Sequence, residues 1–136
     1  MDWNDVRRLA RRRSRHLQET DSRILLHWRS EHDQAVQTIK LICCESLGGP
    51  QLMMVADVCP LSWLPGGAAQ RASRQLKFAA LLANQDTWVL RRIVPLAQVS
   101  GNDVDGLLDW LVYEANWVRK HGAAHRADAR AFPRMA

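Results

Sequence analysis

The sequence predicts a single α+β domain: an antiparallel, twisted sheet of about five strands with an N-terminal and a C-terminal helix packed on it and a short middle helix. Three observations support this fold class. Apolar residues recur with a helical period near both ends of the chain, they alternate with a period of two in between, and turn sequences separate the alternating segments. The predicted order is α-β-β-β-α-β-β-α.

The first predicted helix covers residues 3–18. Asp2 or Asn4 can cap its start, and a narrow apolar stripe with Val6 and Leu9 would dock it on the sheet. Arginines cover the remaining surface and contribute to a net charge of +5. This pattern is typical of a solvated basic face, and contact with nucleic acid or an acidic partner is the functional alternative.

Three strands are predicted next, at residues 22–29, 34–46 and 51–58. In the first strand, Leu26 and Trp28 share one side. A polar turn and the sequence Gly-Gly-Pro separate the three segments. Strands joined by such short turns form an antiparallel meander.

The middle of the chain carries several prolines and glycines over residues 59–67, which predict a connection. Residues 68–74, including Ala68 and Ala72, can form two helical turns. Residues 77–82 and 87–96 then resemble a hairpin, whose second arm contains Trp88, Leu90 and Ile93. One continuous helix over residues 68–83 is the competing interpretation.

The clearest helix is predicted over residues 100–122, where Ser100 and Asp103 can cap the start and Gly122 can end it. Residues 123–136 lack an apolar period, so we expect a domain of residues 1–122 followed by a flexible tail. A second apolar line along this helix belongs either to a wide core face or to a contact with another chain; it contains Trp110, Tyr113 and Trp117.

Sequence signatures of catalysis are absent. The chain has no nucleophile elbow, phosphate loop or dinucleotide fingerprint. Its three cysteines lack metal-site spacing, and we expect reduced thiols in a cytoplasmic protein without metal or cofactor. No apolar run is long enough for a transmembrane span. The function is therefore expected to lie in protein-binding surfaces rather than in an enzyme site.

Residues 86–120 carry a resemblance to a known family, in the sequence DTWVLRRIVPLAQVSGNDVDGLLDWLVYEANWVRK. This segment, together with the element order, resembles the class I effector chaperones of bacterial type III secretion, the Tir-chaperone family. In that family, a strand of the form seen at residues 89–96 precedes a short loop and a closing amphipathic helix. The apolar strand at residues 52–58 and its exit through Pro60, Leu61 and Leu64 are also similar.

The resemblance implies a non-enzymatic homodimer in the bacterial cytoplasm. It would bind the N-terminal segment of a secreted virulence effector in extended form and keep that segment competent for export. The implied partner-binding residues are Val6, Leu9, Leu26 and Trp28. The implied dimer-interface residues are Ala68, Ala72, Trp88, Leu90 and Ile93.

Two features differ from the family. The effector chaperones of that family are typically acidic, whereas this chain is basic. The predicted middle helix of this chain is also short. The basic charge favours an acidic partner. The alternatives left open are a chaperone-like regulator that binds another secretion regulator and, further from the resemblance, a basic nucleic-acid-binding protein.

Overall fold

The helices and strands lie within residues 1–13, 17–30 and 34–131, which the computed structural model describes. The helices are α1 (Trp3–Arg13), α2 (Gly66–Gln75) and α3 (Gly101–Ala131). The strands are β1 (Gln18–Glu19), β2 (Arg23–Arg29), β3 (Val36–Ser46), β4 (Gly49–Pro60), β5 (Ala80–Asn84) and β6 (Thr87–Pro95). Single 3₁₀ turns, Leu61–Trp63 and Leu96–Gln98, follow β4 and β6.

The strands form one sheet in the order β1-β2-β3-β4-β6-β5, and every neighbouring pair is antiparallel. Antiparallel pairing of β2 with β3 and of β3 with β4 gives the predicted meander; residues 31–33 of the predicted polar turn between β2 and β3 lie outside the described ranges. The fold class is confirmed, with β1 as an additional two-residue strand. Around Val58, the register of β4 with β6 shifts between Asp57 and Cys59, which is the signature of a β-bulge.

The core lies between the helices and one face of the sheet. Alternate side chains of β2 are buried, as the period of two requires. In α3, the buried side chains follow the helical period from Val104 to Val118. The largest fully buried side chains of this core are Ile24, Leu26, Ile39, Leu41, Leu52, Met54, Leu64, Leu90, Leu96 and Leu111.

The first helix is shorter than predicted. Its start is capped as expected, because the carboxylates of Asp2 and Asp5 each accept a hydrogen bond from the other residue's backbone N–H. The helix ends at Arg13, however, and the prediction was wrong at its far end: Gln18 and Glu19 pair with β2 as an edge strand. The predicted helical residues 14–16 lie outside the described ranges.

In the middle of the chain, the helix-plus-strand interpretation is correct and the continuous helix over residues 68–83 is wrong. Helix α2 ends at Gln75 and β5 begins at Ala80. The backbone N–H groups of the intervening segment do not continue the helical ladder, because three of them donate to the carboxylate of Glu114. The β5–β6 turn passes through Gln85, which has a positive φ of 54°.

Helix α3 starts as predicted and ends later. Both the backbone N–H and the hydroxyl of Ser100 donate to the Asp103 carboxylate, at 3.0 and 2.8 Å. The predicted end at Gly122 was wrong, because the helix continues to Ala131. Residues 123–131, at the start of the predicted tail, are part of this helix. Gly122 is buried, and a Cβ there would lie 3.4 Å from Trp63. The helix therefore packs closely on the 3₁₀ turn Leu61–Trp63 at this position. Residues 132–136 lie outside the described ranges.

Helix α3 is long, but charged residues recur throughout its sequence. Within the described ranges, no helix combines the length and the apolar character that a bilayer span requires.

Candidate protein-binding site

The four predicted partner-binding residues lie together where α1 packs on the sheet. Val6, Leu9, Leu26 and Trp28 line one cleft between α1, β2 and α3, whose free volume is only about 10 Å³. Val6, Leu26 and Trp28 are buried, and Leu9 is half-buried at the rim. The Trp28 indole N–H also donates to Asp109 of α3 at 2.8 Å. A partner could reach this cleft only if α1 moved away.

Four of the five arginines of α1 form ion pairs within the chain, with three carboxylates between them. Arg7 and Arg11 both contact the Glu19 carboxylate at 2.6 Å. Hydrogen bonds from Arg11 and Arg7 hold the pKa of Glu19 below its usual value. Arg8 pairs with Asp5, and Arg13 pairs with Asp105 of α3. The basic sequence of this helix therefore does not produce an equally basic surface.

The predicted dimer-interface residues do not share one environment. Ala68, Ala72 and Leu90 are buried within the chain. Trp88 is half-buried, and its indole N–H donates to the carbonyls of Leu61 and Leu64. Only Ile93 is an exposed large apolar side chain, with 42% of its surface accessible.

Ile93 belongs to the sheet face that points away from the core. On this face Ile42, Met53 and Ile93 lie side by side across β3, β4 and β6. Val55 follows two residues after Met53 on the same face and pairs with Lys40 and Arg91. We call Ile42, Met53, Val55 and Ile93 the open face. It combines an apolar centre with basic flanks.

A second exposed apolar surface runs along α3. Trp110 and Tyr113 are 49% and 58% exposed, and Trp117 is half-buried. Phe78, from the segment between α2 and β5, stacks on Trp110 with ring centroids 6.1 Å apart. We call Phe78, Trp110, Tyr113 and Trp117 the aromatic strip.

The sequence identifies the α3 members of the aromatic strip by their helical spacing, but it does not identify Phe78. Its apolar neighbours predict a strand at Phe78, and nothing in the local sequence indicates its contact with α3. Glu114, whose carboxylate accepts a hydrogen bond from the Phe78 backbone, has no feature in the sequence that distinguishes it from other helix residues. The structure assigns it the role of receiving the N–H groups of Lys77, Phe78 and Ala79 at 2.8–3.2 Å.

Three grooves meet at Trp110. The largest, about 780 Å³, runs along α3 past Trp117 to Lys120. A second groove of about 460 Å³ lies between the start of α3 and β6 and includes Arg92. The third, about 190 Å³, lies towards the end of α2 and includes Lys77. The aromatic strip is thus a ridge with a depression on each side.

A partly buried polar cluster around Arg119 holds α3 on the sheet. The Arg119 guanidinium donates to the carbonyl of Val58, in the bulge of β4, at 3.0 Å and to Gln37 Oε1 at 2.5 Å. Gln37 in turn donates to the carbonyl of Asp57. Burial lowers the pKa of Arg119. This cluster has no exposed reactive group and is structural.

The three cysteines are free thiols. Burial raises the pKa of both Cys43 and Cys59, which favours the protonated thiol over the reactive thiolate. Across residues 1–13, 17–30 and 34–131, no group of three histidine, cysteine or acidic side chains is placed to hold a metal ion.

Comparison with known proteins identifies a solved structure with a similar fold. No protein-family model and no curated protein matches the sequence. One chain of the ExsC–ExsE complex superimposes with a TM-score of 0.59 at 16% identity, over 88% of this chain and 96% of that chain. At this identity, the similarity shows the fold alone.

Proposed function

We propose that this chain is a non-enzymatic, protein-binding chaperone of type III secretion that acts in the bacterial cytoplasm. The observation that carries the proposal is the combination of this fold with two uncovered apolar surfaces, the open face and the aromatic strip. Exposed apolar surface of this kind usually marks a contact with another protein. The resemblance of residues 86–120 to secretion chaperones supports the same conclusion.

The preferred partner is a secreted effector whose N-terminal segment is kept extended and competent for export. An extended segment gains main-chain hydrogen bonds at a sheet edge and places alternate side chains in pockets. Strand β5 lies at the end of the sheet and pairs only with β6 among the described strands. Its sequence, ALLAN, has no charged residue that would discourage strand addition.

We further propose a homodimer formed through the open face. The exposed residues of α2 are polar or glycine, whereas Ala68, Ala69 and Ala72 are buried in their own chain. Ile93 and its neighbours on the open face supply the apolar surface that α2 lacks. A stable interface needs an apolar core of this kind with a polar rim.

A chaperone-like regulator that binds another secretion regulator is the second candidate. The net charge of +5 favours it, because the effector chaperones that the sequence resembles are typically acidic. The similar solved chain comes from a complex of two proteins, ExsC and ExsE, which is consistent with either kind of partner. Nucleic-acid binding through α1 is less favoured, since Arg7, Arg8, Arg11 and Arg13 are paired with carboxylates.

The test is deletion of the gene in its native host, followed by mass spectrometry of secreted and intracellular proteins. An effector chaperone predicts the loss of one or a few proteins from the secreted fraction. A regulator predicts a change in the amounts of many secretion proteins together. An unchanged secreted fraction would contradict both. Re-expression of the Leu47→Ala variant, altered at an exposed turn residue, should restore the wild-type pattern and serves as the control.

Light scattering of the purified chain tests the dimer separately. The wild type should have twice the chain mass, and Ile93→Asp should be a monomer because a charged side chain would have to be buried in the apolar centre of the interface. Leu47→Asp, at a fully exposed turn position, should remain a dimer. A wild-type monomer, or a dimeric Ile93→Asp variant, would refute the open face as the interface.

A further inference from the structure

We infer that the aromatic strip is the docking site for an acidic, apolar segment of the partner protein, with Trp110 as the central anchor. This inference rests on the proposed function for the existence of a protein partner. It adds where one segment of that partner binds and which chemistry the segment carries.

The strip is organised before any partner arrives. Trp110 stacks nearly parallel to Phe78, at 12° between ring planes, and meets Tyr113 edge-on with centroids 6.0 Å apart. The backbone of Phe78 is tied to the Glu114 carboxylate, and its ring lies under the Arg92 guanidinium at 5.2 Å. Binding to ordered side chains loses little conformational entropy, which favours affinity.

Trp110 has the position and chemistry of a binding anchor. It lines all three grooves and is still half exposed. Tryptophan and tyrosine at the centre of a surface, surrounded by depressions, are typical of residues that dominate binding energy. The strip therefore offers pockets on both sides of a central apolar ridge.

One groove also offers main-chain hydrogen bonding. Strand β5 pairs with β6 only from Thr87 to Arg91. The following residues of β6, Arg92 to Pro95, line the groove of about 460 Å³ on the side that β5 leaves unpaired. An extended segment could therefore add to this edge while its side chains reach Trp110.

The charges around the strip favour an acidic segment. Each groove contains one cation: Lys120, Arg92 or Lys77. Each also contains one carboxylate that already accepts internal hydrogen bonds, from Trp28 to Asp109, from Ser100 to Asp103 and from the Lys77–Ala79 backbone to Glu114. Among the described residues, Lys77 and Lys120 form no ion pair. Free ammonium groups are thus available to a carboxylate, whereas the local carboxylates are already engaged.

A second copy of this chain fits the strip poorly. A two-fold interface brings the same patch of both subunits together. Strip against strip would bring together two copies of the same cations without supplying a carboxylate that is free of internal hydrogen bonds, and unmatched like charges across an interface disfavour association. A different protein with carboxylates beside its apolar side chains avoids this conflict.

Synthetic peptides test the inference on the full-length chain. Three fluorescein-labelled peptides share the same alternating aliphatic and aromatic residues and carry glutamate, serine or lysine between them. Fluorescence anisotropy at physiological ionic strength should rank the affinities as glutamate over serine over lysine, with about tenfold between the extremes. Trp110→Ala should weaken the glutamate peptide about tenfold. The double variant Lys77→Glu, Lys120→Glu should abolish or reverse the ranking, and Leu47→Ala should leave it unchanged.

Several outcomes would overturn the inference: equal affinities for the three peptides, no binding at millimolar concentration, or insensitivity to Trp110→Ala in a variant whose thermal unfolding matches the wild type. Conversion of a wild-type dimer to a monomer by Trp110→Ala would assign the strip to a second copy instead. A pull-down from the native host separates the two proposals. If the tagged wild type, Trp110→Ala and the double variant Lys77→Glu, Lys120→Glu bind the host partner equally, the inference fails and the proposed function stands. If the peptides behave as expected but gene deletion leaves secretion unchanged, the proposed function fails.

Discussion

The carboxylate of Glu114 in α3 accepts a hydrogen bond from the backbone N–H of Ala79 at 2.8 Å. It receives the N–H groups of Lys77 and Phe78 as well, and the side chain is buried. One acidic residue thus ends the α2 segment, directs the chain into β5 and fixes the position of Phe78 on the aromatic strip. The binding surface and the start of the edge strand β5 therefore both depend on Glu114.

Glu114→Ala should lower the free energy of unfolding by about 3 kcal/mol, because three backbone donors lose a charged acceptor. Glu114→Gln keeps one acceptor oxygen and should cost about half as much. Urea unfolding monitored by circular dichroism measures both changes. Tyr113→Ala, at the exposed position before it in α3, is the matched control and should have a small effect. Equal losses for Glu114→Ala and Tyr113→Ala would show that the hydrogen bonds contribute little.

Replacing a glycine that ends a helix with positive φ by alanine lowers stability. We expect the opposite effect at Gly122. It lies inside α3 and is not among the residues with positive φ. Gly122→Ala should therefore raise the free energy of unfolding by about 0.5–1 kcal/mol through helix propensity, since the added Cβ only reaches contact distance from Trp63 and Leu64. Gly122→Leu should destabilise by overpacking.

Gly106 is the control for this pair, because it lies in the same helix with open space around it. Alanine and leucine should both stabilise the chain at this position, as measured by thermal unfolding. If Gly122→Ala is destabilising while Gly106→Ala is stabilising, the contact with the 3₁₀ turn is tighter than ordinary packing.

The regular elements were predictable where the signal is local. The period-two burial of β2 and the Ser100–Asp103 cap can be read from neighbouring residues. The end of α3 could not, because Gly122 resembles a helix stop until its contact with Trp63 is known. In the same way, only the distant Glu114 distinguishes a strand start at Ala80 from a continuing helix.

The candidate site was less predictable than the fold. Periodicity places Val6, Leu26 and Trp28 on inward faces, but it does not show whether a groove between them is open or filled by their own helix. Helical spacing does place Trp110 in a second apolar line along the predicted helix. Whether that line faces the core or solvent depends on the orientation of α3, which long-range packing determines.

The Glu19 ion pairs give stability that depends on pH. Because the folded-state pKa of Glu19 is lowered by Arg11 and Arg7, the stabilisation is complete above the usual carboxyl pKa of about 4.3. It is lost as the pH falls through the lower folded-state pKa. Glu19→Gln should therefore be less stable than the wild type at neutral pH, and the difference should shrink below about pH 4. Denaturant titrations across this range measure it.

Asp86→Asn is the control for the pH experiment, since this carboxylate is exposed at the β5–β6 turn. The difference in free energy of unfolding between Asp86→Asn and the wild type should stay constant as the pH falls. A constant difference between Glu19→Gln and wild type at all pH values would show that the variant acts through packing rather than through charge.

Arg119 and Gln37 should be energetically coupled. Arg119 bridges Gln37 and the carbonyl of Val58 without a carboxylate, so its removal leaves two acceptors unsatisfied. Arg119→Lys should cost about 2 kcal/mol, because one ammonium does not reproduce the planar guanidinium contacts. A double-mutant cycle with Arg119→Met and Gln37→Leu should show coupling of about 1 kcal/mol, the double variant losing less than the sum of the single losses. Strictly additive losses would mean that each side chain is held independently by the backbone of β4.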